Sequence, residues 1–552
     1  MQNIKQFFRQ RLSSIWPKLS YIYWLIKTKI PLFYPKLLKD IDRVLSSSVK
    51  GNSNEKKILF FHQSNGIDNL SFQIIISKAL ELRKNTIEYF IGDIYFPNSC
   101  NLGIYPKLDY FRYLQYKLLV KKITDLSHIN PENTSGYFSI LNRDKILSYI
   151  KNLSENEIKN FKYKNNNIFT IALPSVLHFL RAENIDFKSS LDTRVLFETM
   201  SNICEMYDTC VRYLEIKKPN IVCLVNGLHW PAASMILAAK NKKIKFVTTE
   251  EHFRVPYEGD FHSSFLLDVN STSIEKLSNA SHFKNILKKT DNKINYDVLD
   301  EFLKSREESR TETITYASKN NQNNNLLNKL KVFSKKRKTF VLFTGIGWDS
   351  AYRYAASSAF TNSEEWLVET AKYFQKSEAN LIIRIHPAEN YSNFRMKKKT
   401  INSIKDFIDL ENIFIVDSKV KINAYSLMDL VSGGITWAST TGLEMAMRGL
   451  PVITAFDRIY TQLGCSFDPR SKKDYFKYLD KLINFDLDID REKTKIIARE
   501  IAYHYFIGLN HPLKFIKRGF DYDLPSLNFN SLSELNSGLD KSLDNICELI
   551  AN

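Results

Sequence analysis

The chain has 552 residues, a length that predicts two or three domains, and its hydrophobic fraction of 44% and charged fraction of 25% are typical of a globular protein. No run of about eighteen apolar residues is present, so the composition excludes a membrane-spanning helix, and we expect no secretory signal. The formal net charge of +18 is not accompanied by a nucleic-acid recognition motif, so no nucleic-acid partner is predicted.

The first fifty residues carry a dense mixture of basic and aromatic side chains. They contain ten Lys or Arg residues against the two acids Asp40 and Asp42. The interleaved aromatic residues are Phe7, Phe8, Trp16, Tyr21, Tyr23, Trp24, Phe33 and Tyr34. This composition suits the anionic cytoplasmic face of a membrane, so we predict that residues 1–50 form a basic helical arm at that surface. The alternative is an arm that packs on the protein's own surface.

Residues 51–270 are predicted to form an N-terminal Rossmann-like domain. From Lys57 to Asp93 the pattern indicates a buried strand, a polar turn, an amphipathic helix and a second strand. From Asn220 to Glu251 a strand, a helix and a strand repeat this theme, after a Tyr- and Lys-rich segment that is harder to interpret. Such alternation is typical of a parallel sheet covered by helices.

The second half begins after residues 271–338, which we predict to be a linker because they are rich in Lys, Asn, Ser and Glu. Residues 339–490 are predicted to form a second Rossmann-like domain, and residues 491–552 a helical tail that packs back on the first. The predicted elements of the second domain are a strand from Thr339, a helix over Glu364–Lys376, strands over Asn380–Ile385 and Asn412–Val416, a short helix over Ala424–Leu430, a helix containing Glu444 and a strand over Pro451–Ala455. The expected fold is α/β, with two Rossmann-like domains facing a cleft.

The cysteines and histidines give no metal or disulfide pattern. The six cysteines show neither a C-x-x-C pair nor the close spacing of a secreted disulfide scaffold, so a reducing cytoplasm is predicted. The ten histidines are dispersed and no D-x-D motif has a convincing context, so neither a metal nor another cofactor is expected.

The segment Val431–Ile453, VSGGITWASTTGLEMAMRGLPVI, joins a Gly- and Ser/Thr-rich turn to a helix. Backbone N–H groups and hydroxyls at the positive end of a helix dipole suit a phosphate, and Glu444, one turn into the helix, is placed to bind ribose hydroxyls. A second element, LIIRIHPAE, is an apolar strand that ends in Arg384, His386, Pro387 and Glu389. Because ligands bind beyond the carboxyl ends of parallel strands, the two motifs predict a nucleotide-sugar site in the cleft.

Both motifs also have structural interpretations. A Ser/Thr cap followed by Glu is the usual capping box, and a histidine at a strand end is most often locally satisfied. Against this, Gly433, Gly434 and Gly442 favour close approach of a ligand, since capping does not need three glycines. Arg384, on the same strand face as His386, favours neutralisation of phosphate charge.

Further motifs complete a recognisable pattern. Gly347, Trp348 and Asp349 follow a strand, and Glu365, Trp366 and Leu367 begin the next helix. With these residues, the R-x-H-P-A-E element and the turn before Glu444, the C-terminal half resembles bacterial capsule and surface polysaccharide glycosyltransferases of the GT-B fold. Asn226 and Gly227 are similar to an N-G element in the N-terminal domain of the same group.

The resemblance implies roles for the site residues. In sialyltransferases and Kdo transferases of this fold, a His-Pro pair and a Ser/Thr pair hold the phosphate and nucleotide of a CMP-activated sugar. The matching residues are His386, Pro387, Ser439 and Thr440, with Thr441 and Gly442 beside them. Teichoic acid polymerases look alike here and use CDP-linked polyols, so a cytidine nucleotide is favoured, and Glu444 is assigned to ribose binding. Possible sugar contacts are Asp349, Glu389, Asn226 and Gly227.

The catalytic base is the least defined part of the predicted site. His62, Asp68, Glu250, Glu251 and His252 all follow apolar strands of the first domain. A transferase that inverts the anomeric centre needs one general base near the acceptor hydroxyl, for which we predict Glu251 first and Asp68 second. A retaining mechanism with front-face attack is left open.

The sequence therefore predicts a metal-independent glycosyltransferase that moves a sugar from a nucleotide donor, with a CMP-sugar slightly preferred, to a capsule, surface-glycan or lipid-linked acceptor. We expect it in the cytoplasm, peripheral at the inner face of the plasma membrane. The alternatives are a sugar-nucleotide epimerase of the same fold and a non-catalytic scaffold of a polysaccharide assembly complex.

Overall fold

Two β-sheets, one in each half of the chain, organise the structure. The computed structural model describes residues 16–45, 56–63, 66–95, 106–272, 280–289, 294–311, 317–349, 358–390, 396–408, 410–518 and 524–552. Residues 1–15 of the predicted basic arm lie outside the described residues. None of the helices in the described ranges has the length and hydrophobicity needed to span a bilayer.

The N-terminal half alternates helices and strands. Its elements are α1 (Trp16–Lys29), α2 (Lys36–Val44), β1 (Lys57–His62), α3 (Ile67–Leu82), β2 (Thr86–Ile91), α4 (Pro106–Leu126), β3 (Glu132–Asn133), α5 (Ile140–Ile150), α6 (Glu155–Lys159), β4 (Lys162–Tyr163), β5 (Asn166–Asn167), α7 (Ile168–Leu180), α8 (Ser190–Lys217), β6 (Ile221–Val225), α9 (Ala232–Asn241), β7 (Lys245–Tyr257) and β8 (Asp260–Val269).

The first sheet has the order β3-β2-β1-β6-β7-β8-β14, in which β14 is His511–Pro512 of the C-terminal half. Within this sheet, strands β3, β2, β1, β6 and β7 are parallel, whereas β7 and β8 form an antiparallel hairpin. The chain runs outward from β1 in one direction through β2 and β3, and in the other through β6 and β7. The strand order therefore reverses between β1 and β6, and ligands of open α/β sheets bind at such a point.

The C-terminal half repeats the alternation. Its elements are α10 (Ala280–Lys289), α11 (Tyr296–Glu307), α12 (Asn324–Lys336), β9 (Thr339–Phe343), α13 (Ser363–Gln375), β10 (Asn380–Arg384), α14 (Thr400–Ser403), β11 (Ile413–Val416), α15 (Ala424–Met428), β12 (Gly433–Thr436), α16 (Thr440–Met447), β13 (Val452–Thr454), α17 (Lys472–Asn484), α18 (Arg491–Tyr503), β14 (His511–Pro512), β15 (Ile516–Lys517), β16 (Ser526–Leu527) and α19 (Lys541–Ala551).

The second sheet is wholly parallel, with the order β11-β10-β9-β12-β13. Strands β9 and β10 are buried along their whole length, as expected for a parallel sheet covered on both faces. The order reverses between β9 and β12. The α/β class with two Rossmann-like sheets is thus confirmed, and the carboxyl ends of β9 and β12 mark the expected ligand crevice.

The segment predicted as a linker contains the three helices α10, α11 and α12. Phe283, Leu299, Phe302 and Leu330 are buried in the same core as Val341 of the second sheet. The Lys- and Asn-rich composition arises because the remaining faces of these helices are exposed. The segment therefore covers the second sheet, in contrast to the irregular structure that its polarity predicts.

The last part of the chain returns to the first sheet. Strand β14 pairs with β8, so residues 511–512 form its outer edge. Leu543, Ile546 and Ile550 of α19 are buried in the core that surrounds β1 and α3. The boundaries of the two domains and of the tail stay predictions.

Candidate functional site

The turn between β12 and α16 presents a polar cap at the carboxyl edge of the second sheet. Ser439 is the N-cap, since its side chain accepts a hydrogen bond from the Thr441 N–H at 3.2 Å. Tyr460 Oη fixes the turn from below by donating to the Ser439 carbonyl at 2.7 Å. The Thr441 hydroxyl oxygen is buried and has no hydrogen-bond partner among the described residues. A buried polar atom without a partner is costly, so this hydroxyl is suited to a ligand.

Arg306 of α11 brings a positive charge to this turn. Its Nη2 donates to Thr440 Oγ1 at 3.3 Å, and its Nε donates to Glu444 Oε1 at 2.6 Å. The guanidinium packs against the rings of Phe253 and Phe506, with its central carbon 5.0 and 5.2 Å from their centroids. Sequence reasoning missed Arg306 because nothing distinguishes it from the other charged residues of the segment predicted as a linker.

Glu444, the residue predicted to bind ribose, positions Arg306, and its ribose contact stays a prediction. Its side chain is only 3% exposed and pairs with Arg306 in the structure. The carboxylate therefore holds the arginine beside the turn, because a buried acid is stable only with a cationic or hydrogen-bonding partner.

The three glycines near the turn serve packing. A methyl group on Gly442 would overlap Tyr460 Oη, and one on Gly434 would overlap the sulfur of Met445. Gly433 faces Leu482 and Pro451 in the same way. Packing therefore explains these glycines without a ligand, and the close approach of a ligand at these positions stays a prediction.

His386 follows β10 and lies beside the end of β9. Its backbone N–H donates to Thr344 Oγ1 at 2.9 Å, and its Nδ1 accepts from the Ala388 N–H at 3.2 Å. Burial and the charge of Arg384 lower the pKa of His386 to about 4. The imidazole is therefore neutral near pH 7, and the hydrogen-bond pattern assigns its proton to Nε2, so it acts toward a ligand as a neutral donor. Pro387 begins the short 3-10 turn that follows.

Arg384 and Glu389 hold the loops around His386. Arg384 is 4% exposed and donates to the carbonyl oxygens of Asp417 and Val420, at 2.8 and 3.1 Å. Glu389 is buried and accepts hydrogen bonds from Thr400. Both residues are thus engaged by the protein, and the phosphate and sugar contacts predicted for them stay predictions.

The two predicted motifs lie at the same edge of the sheet, two strands apart. Arg384 and Thr436 both pair with Phe343, from opposite sides of β9. Adjacent strands are about 4.8 Å apart, so His386 and Ser439 follow strands separated by about 10 Å. The end of β9 lies between them, which leaves room for a ligand larger than a single small anion.

Glu250 of β7 is the carboxyl group with the most altered acidity in this region. The pKa of Glu250 is raised to about 7, chiefly by burial. Asn226 Nδ2 donates a hydrogen bond to Glu250 Oε2 at 2.6 Å, which lowers the pKa, and the negative charge of Asp349 raises it. Asn226 and Gly227 form a turn in the left-handed region, with φ of 62° and 80°. Sequence reasoning named Glu250 among the strand-end residues but did not select it, because only the tertiary structure distinguishes it from its neighbour.

The two residues predicted as the base, Glu251 and Asp68, share one arginine. Arg518 forms ion pairs with Glu251 and with Asp68, the latter at 3.2 Å. Burial raises the pKa of Asp68, and the charge of Arg518 opposes this shift. The roles of Glu251 and Asp68 as the base stay predictions, and Glu250 is a further candidate because its pKa is about 7.

The β9 loop connects the two halves of the site. Trp348 stacks on Arg181, whose guanidinium carbon is 4.0 Å from the ring centroid, and contacts His178 at 5.0 Å between ring centroids. Asp349, the next residue, is close enough to raise the pKa of Glu250.

On the other side of the cleft, the charges of Arg306 and Arg458 add to burial in lowering the pKa of His252 to about 3. The phosphate-compatible turn and the end of β7 thus face each other.

Comparisons with known proteins give one family model and several distantly similar solved structures. Residues 273–478 match the family model described as capsule polysaccharide biosynthesis protein, a range that includes Arg306, His386 and the turn before α16. No curated protein matches the sequence.

Three solved structures are distantly similar. They are the β Kdo 2,4 transferase KpsC of Thermosulfurimonas dismutans (14% identity, 57% of this chain and 87% of that chain, TM-score 0.32), the UDP-GlcNAc 2-epimerase of Neisseria meningitidis bound to UDP-GlcNAc (11%, 82% and 99%, 0.27) and a glycosyltransferase of Rickettsia africae (14%, 90% and 100%, 0.27).

Proposed function

We propose, on the premise that this chain is a GT-B glycosyltransferase of the capsule polysaccharide biosynthesis family, that it transfers a sugar from a CMP-linked donor to a capsule or surface polysaccharide acceptor. The observation that carries this proposal is the turn before α16, where the Thr441 hydroxyl is buried without a partner among the described residues and Arg306 donates a hydrogen bond to the adjacent Thr440. This turn is at the β9/β12 crevice of the second sheet, where α/β folds bind nucleotides.

The donor phosphate binds at this turn. The first N–H groups of α16 donate hydrogen bonds to the phosphate, and so do the hydroxyls of Ser439, Thr440 and Thr441. The helix dipole favours the negative charge of the phosphate. Arg306 is close enough to reach the same oxygens, because it already touches Thr440. These groups stabilise the nucleotide as it leaves, a role that requires charge at fixed positions.

Glu250 accepts the proton of the acceptor hydroxyl. A general base works best when its pKa lies near the working pH, and the pKa of Glu250 is about 7. Asn226 orients the carboxyl group through Oε2, and Asp349 keeps its pKa raised. The acceptor then enters from the N-terminal half, opposite the donor turn.

A thermal-shift panel of CMP, CDP, UDP, GDP and ADP tests the donor assignment. A ligand that binds the native state raises the melting temperature, and at equal concentration the tighter ligand raises it more, so we expect the cytidine nucleotides to give the largest increase. No increase with any of the five nucleotides would contradict the proposed function. A larger increase with UDP than with CMP would keep a nucleotide donor but remove the preference for cytidine.

We also propose that the protein binds the cytoplasmic face of a membrane through α1. One face of this helix carries five large apolar side chains that are 43–53% exposed, namely Leu19, Ile22, Tyr23, Ile26 and Ile30. Lys18 and Lys29 lie on the same exposed face. The opposite face packs on α4, where Ser20 donates to Gln115 and Tyr21 contacts Phe111. An apolar stripe flanked by lysines suits an anionic lipid surface.

Sedimentation with lipid vesicles tests this surface. We expect binding to vesicles that contain phosphatidylglycerol, weaker binding to phosphatidylcholine alone, and loss of binding in the double variant Ile22→Asp, Ile26→Asp. Leu141→Asp is the matched control, because Leu141 is 79% exposed in the first turn of α5, where an acid is favourable. Equal vesicle binding of the two variants would contradict the role of α1. The same holds if the wild type binds no vesicles but self-associates, and the double variant loses this self-association.

A further inference from the structure

The outer part of β7 carries a histidine, His252, that has no role in the proposed transfer. Strand β7 pairs in parallel with β6 only as far as Thr249, and it continues beyond the edge of the sheet as a hairpin with β8. Val255, further along the same strand, is buried in the core of the second sheet. His252 therefore lies where the N-terminal half meets the half that carries the donor turn.

Asn510 fixes the tautomer of this histidine. Its Nδ2 donates to the carbonyl oxygens of Tyr505 and Phe506, both at 3.0 Å, so its side-chain oxygen is turned the other way. His252 Nδ1 lies 3.0 Å from this oxygen. An amide oxygen only accepts hydrogen bonds, so Nδ1 carries the proton and the lone pair of the imidazole is on Nε2.

His252 Nε2 has no hydrogen-bond partner among the described residues. The side chain is half-buried, and the contact with Asn510 is its only hydrogen bond within that part of the chain. Burial and the charges of Arg306 and Arg458 keep its pKa far below 7, against the raising effect of the Asn510 hydrogen bond. The imidazole is therefore neutral at pH 7, and Nε2 suits an uncharged donor such as a hydroxyl.

Arg306 connects this histidine with the donor turn. Its guanidinium packs against the ring of Phe253, the residue after His252, and it donates to Thr440 Oγ1 in the turn. Its charge also acts on the imidazole itself. The group bonded to the phosphate in a nucleotide is the ribose, which carries two adjacent hydroxyls.

The position along β7 favours the nucleotide over the acceptor. Glu250, the proposed base, is the first residue beyond the parallel pairing with β6. His252 follows it by two residues, about 7 Å along the strand, in the direction of the C-terminal half. The acceptor hydroxyl therefore meets Glu250, and the nucleotide is the part of the substrate that reaches His252.

We propose that His252 is a specificity-determining residue whose Nε2 accepts a hydrogen bond from a ribose hydroxyl of the donor nucleotide. The inference rests on the proposed function, since it takes the phosphate position at the turn before α16 as its starting point. The fixed tautomer makes the contact selective, because a nucleotide without that hydroxyl leaves Nε2 unpaired in the complex. His252 therefore selects ribonucleotides over deoxyribonucleotides.

Calorimetric titration of CMP, 2′-deoxy-CMP and 3′-deoxy-CMP into the wild-type protein and His252→Phe tests the proposal. Phenylalanine keeps a ring against Phe253 and Tyr505 but removes both nitrogens. We expect the wild type to bind CMP about tenfold more tightly than one of the two deoxynucleotides, and His252→Phe to bind CMP and that deoxynucleotide equally. A merely structural role would weaken all three nucleotides by the same factor.

His262→Phe is the matched control, because His262 lies on the same hairpin, opposite Val255, with its ring against Tyr257. It should discriminate among the three nucleotides as the wild type does. The tautomer is measured separately in the ¹H–¹⁵N spectrum of protein labelled at its ten histidines. The His252 signal, identified by its loss in His252→Phe, should show the proton on Nδ1.

A proton on Nε2 would overturn the proposal, and so would equal binding of all three nucleotides to the wild type. Discrimination that survives in His252→Phe would also overturn it, and is the result expected if Glu444 binds the ribose. Absence of CMP binding would remove the proposed function and this inference together, whereas CMP binding without discrimination would remove this inference alone.

Discussion

Glu250 and Glu251 are consecutive residues with different surroundings, and this difference yields the first prediction. Glu250 has a pKa of about 7 beside Asn226, whereas Glu251 is paired with Arg518. We expect Glu250→Gln to lower kcat about 10²–10⁴-fold while donor affinity is retained, because an amide cannot accept the proton. Steady-state kinetics with a surface-glycan acceptor measure this effect. Glu251→Gln is the control, and a larger loss in Glu251→Gln than in Glu250→Gln would return the base to the residue predicted from sequence.

The pH dependence of the reaction follows from the same carboxyl group. Glu250 is protonated below its pKa of about 7, so kcat/KM should rise with pH through that value. The charge of Asp349 raises the pKa, so Asp349→Asn should move the rise to lower pH. The Asn226 hydrogen bond lowers the pKa, so Asn226→Ala should move it to higher pH. Shifts of both variants in one direction would show that another group controls the profile.

At the scale of elements, the close contact between α16 and Tyr460 explains why residue 442 of this helix is a glycine. A side chain on Gly442 would overlap Tyr460 Oη, the group that holds the Ser439 carbonyl. We expect Gly442→Ala to lower the free energy of unfolding by about 1–3 kcal/mol, measured by urea denaturation, because the overlap cannot be relieved by a flexible side chain. Gly136→Ala, where the added methyl meets no atom within 4 Å, should stay within about 0.5 kcal/mol of wild type. Equal stability of the two variants would contradict the packing role.

The regular elements were predictable where apolar residues alternate clearly with turns. Strands β1, β6, β9 and β10 match continuous apolar runs, because parallel strands are buried on both faces. Strand β12 was missed because Gly433 and Gly434 are typical of turns, yet both are required there by packing against Pro451 and Met445. The hairpin of β7 and β8 was also missed, since its polar outer positions conceal the alternation.

At the scale of the whole molecule, the site depends on contacts that no local pattern contains. The sequence identified the turn at Ser439 and the strand end at His386, because each is a short local pattern next to a regular element. It could not identify Arg306, because the position of this arginine depends on Glu444. It could not select Glu250, because the acidity of this carboxyl group depends on Asn226 and Asp349. Residues far apart in the chain meet only when both halves have folded.

The central claim is that the nucleotide phosphate binds the turn before α16, and calorimetric titration of CMP into the wild-type protein and Thr441→Val tests it most directly. Valine has nearly the shape of threonine but removes the buried hydroxyl that has no partner among the described residues. We predict that CMP binds the wild type, that Thr441→Val binds it about tenfold more weakly, and that the variant without ligand is at least as stable as wild type. Equal CMP affinity in the two proteins, or no CMP binding to either, would contradict the account.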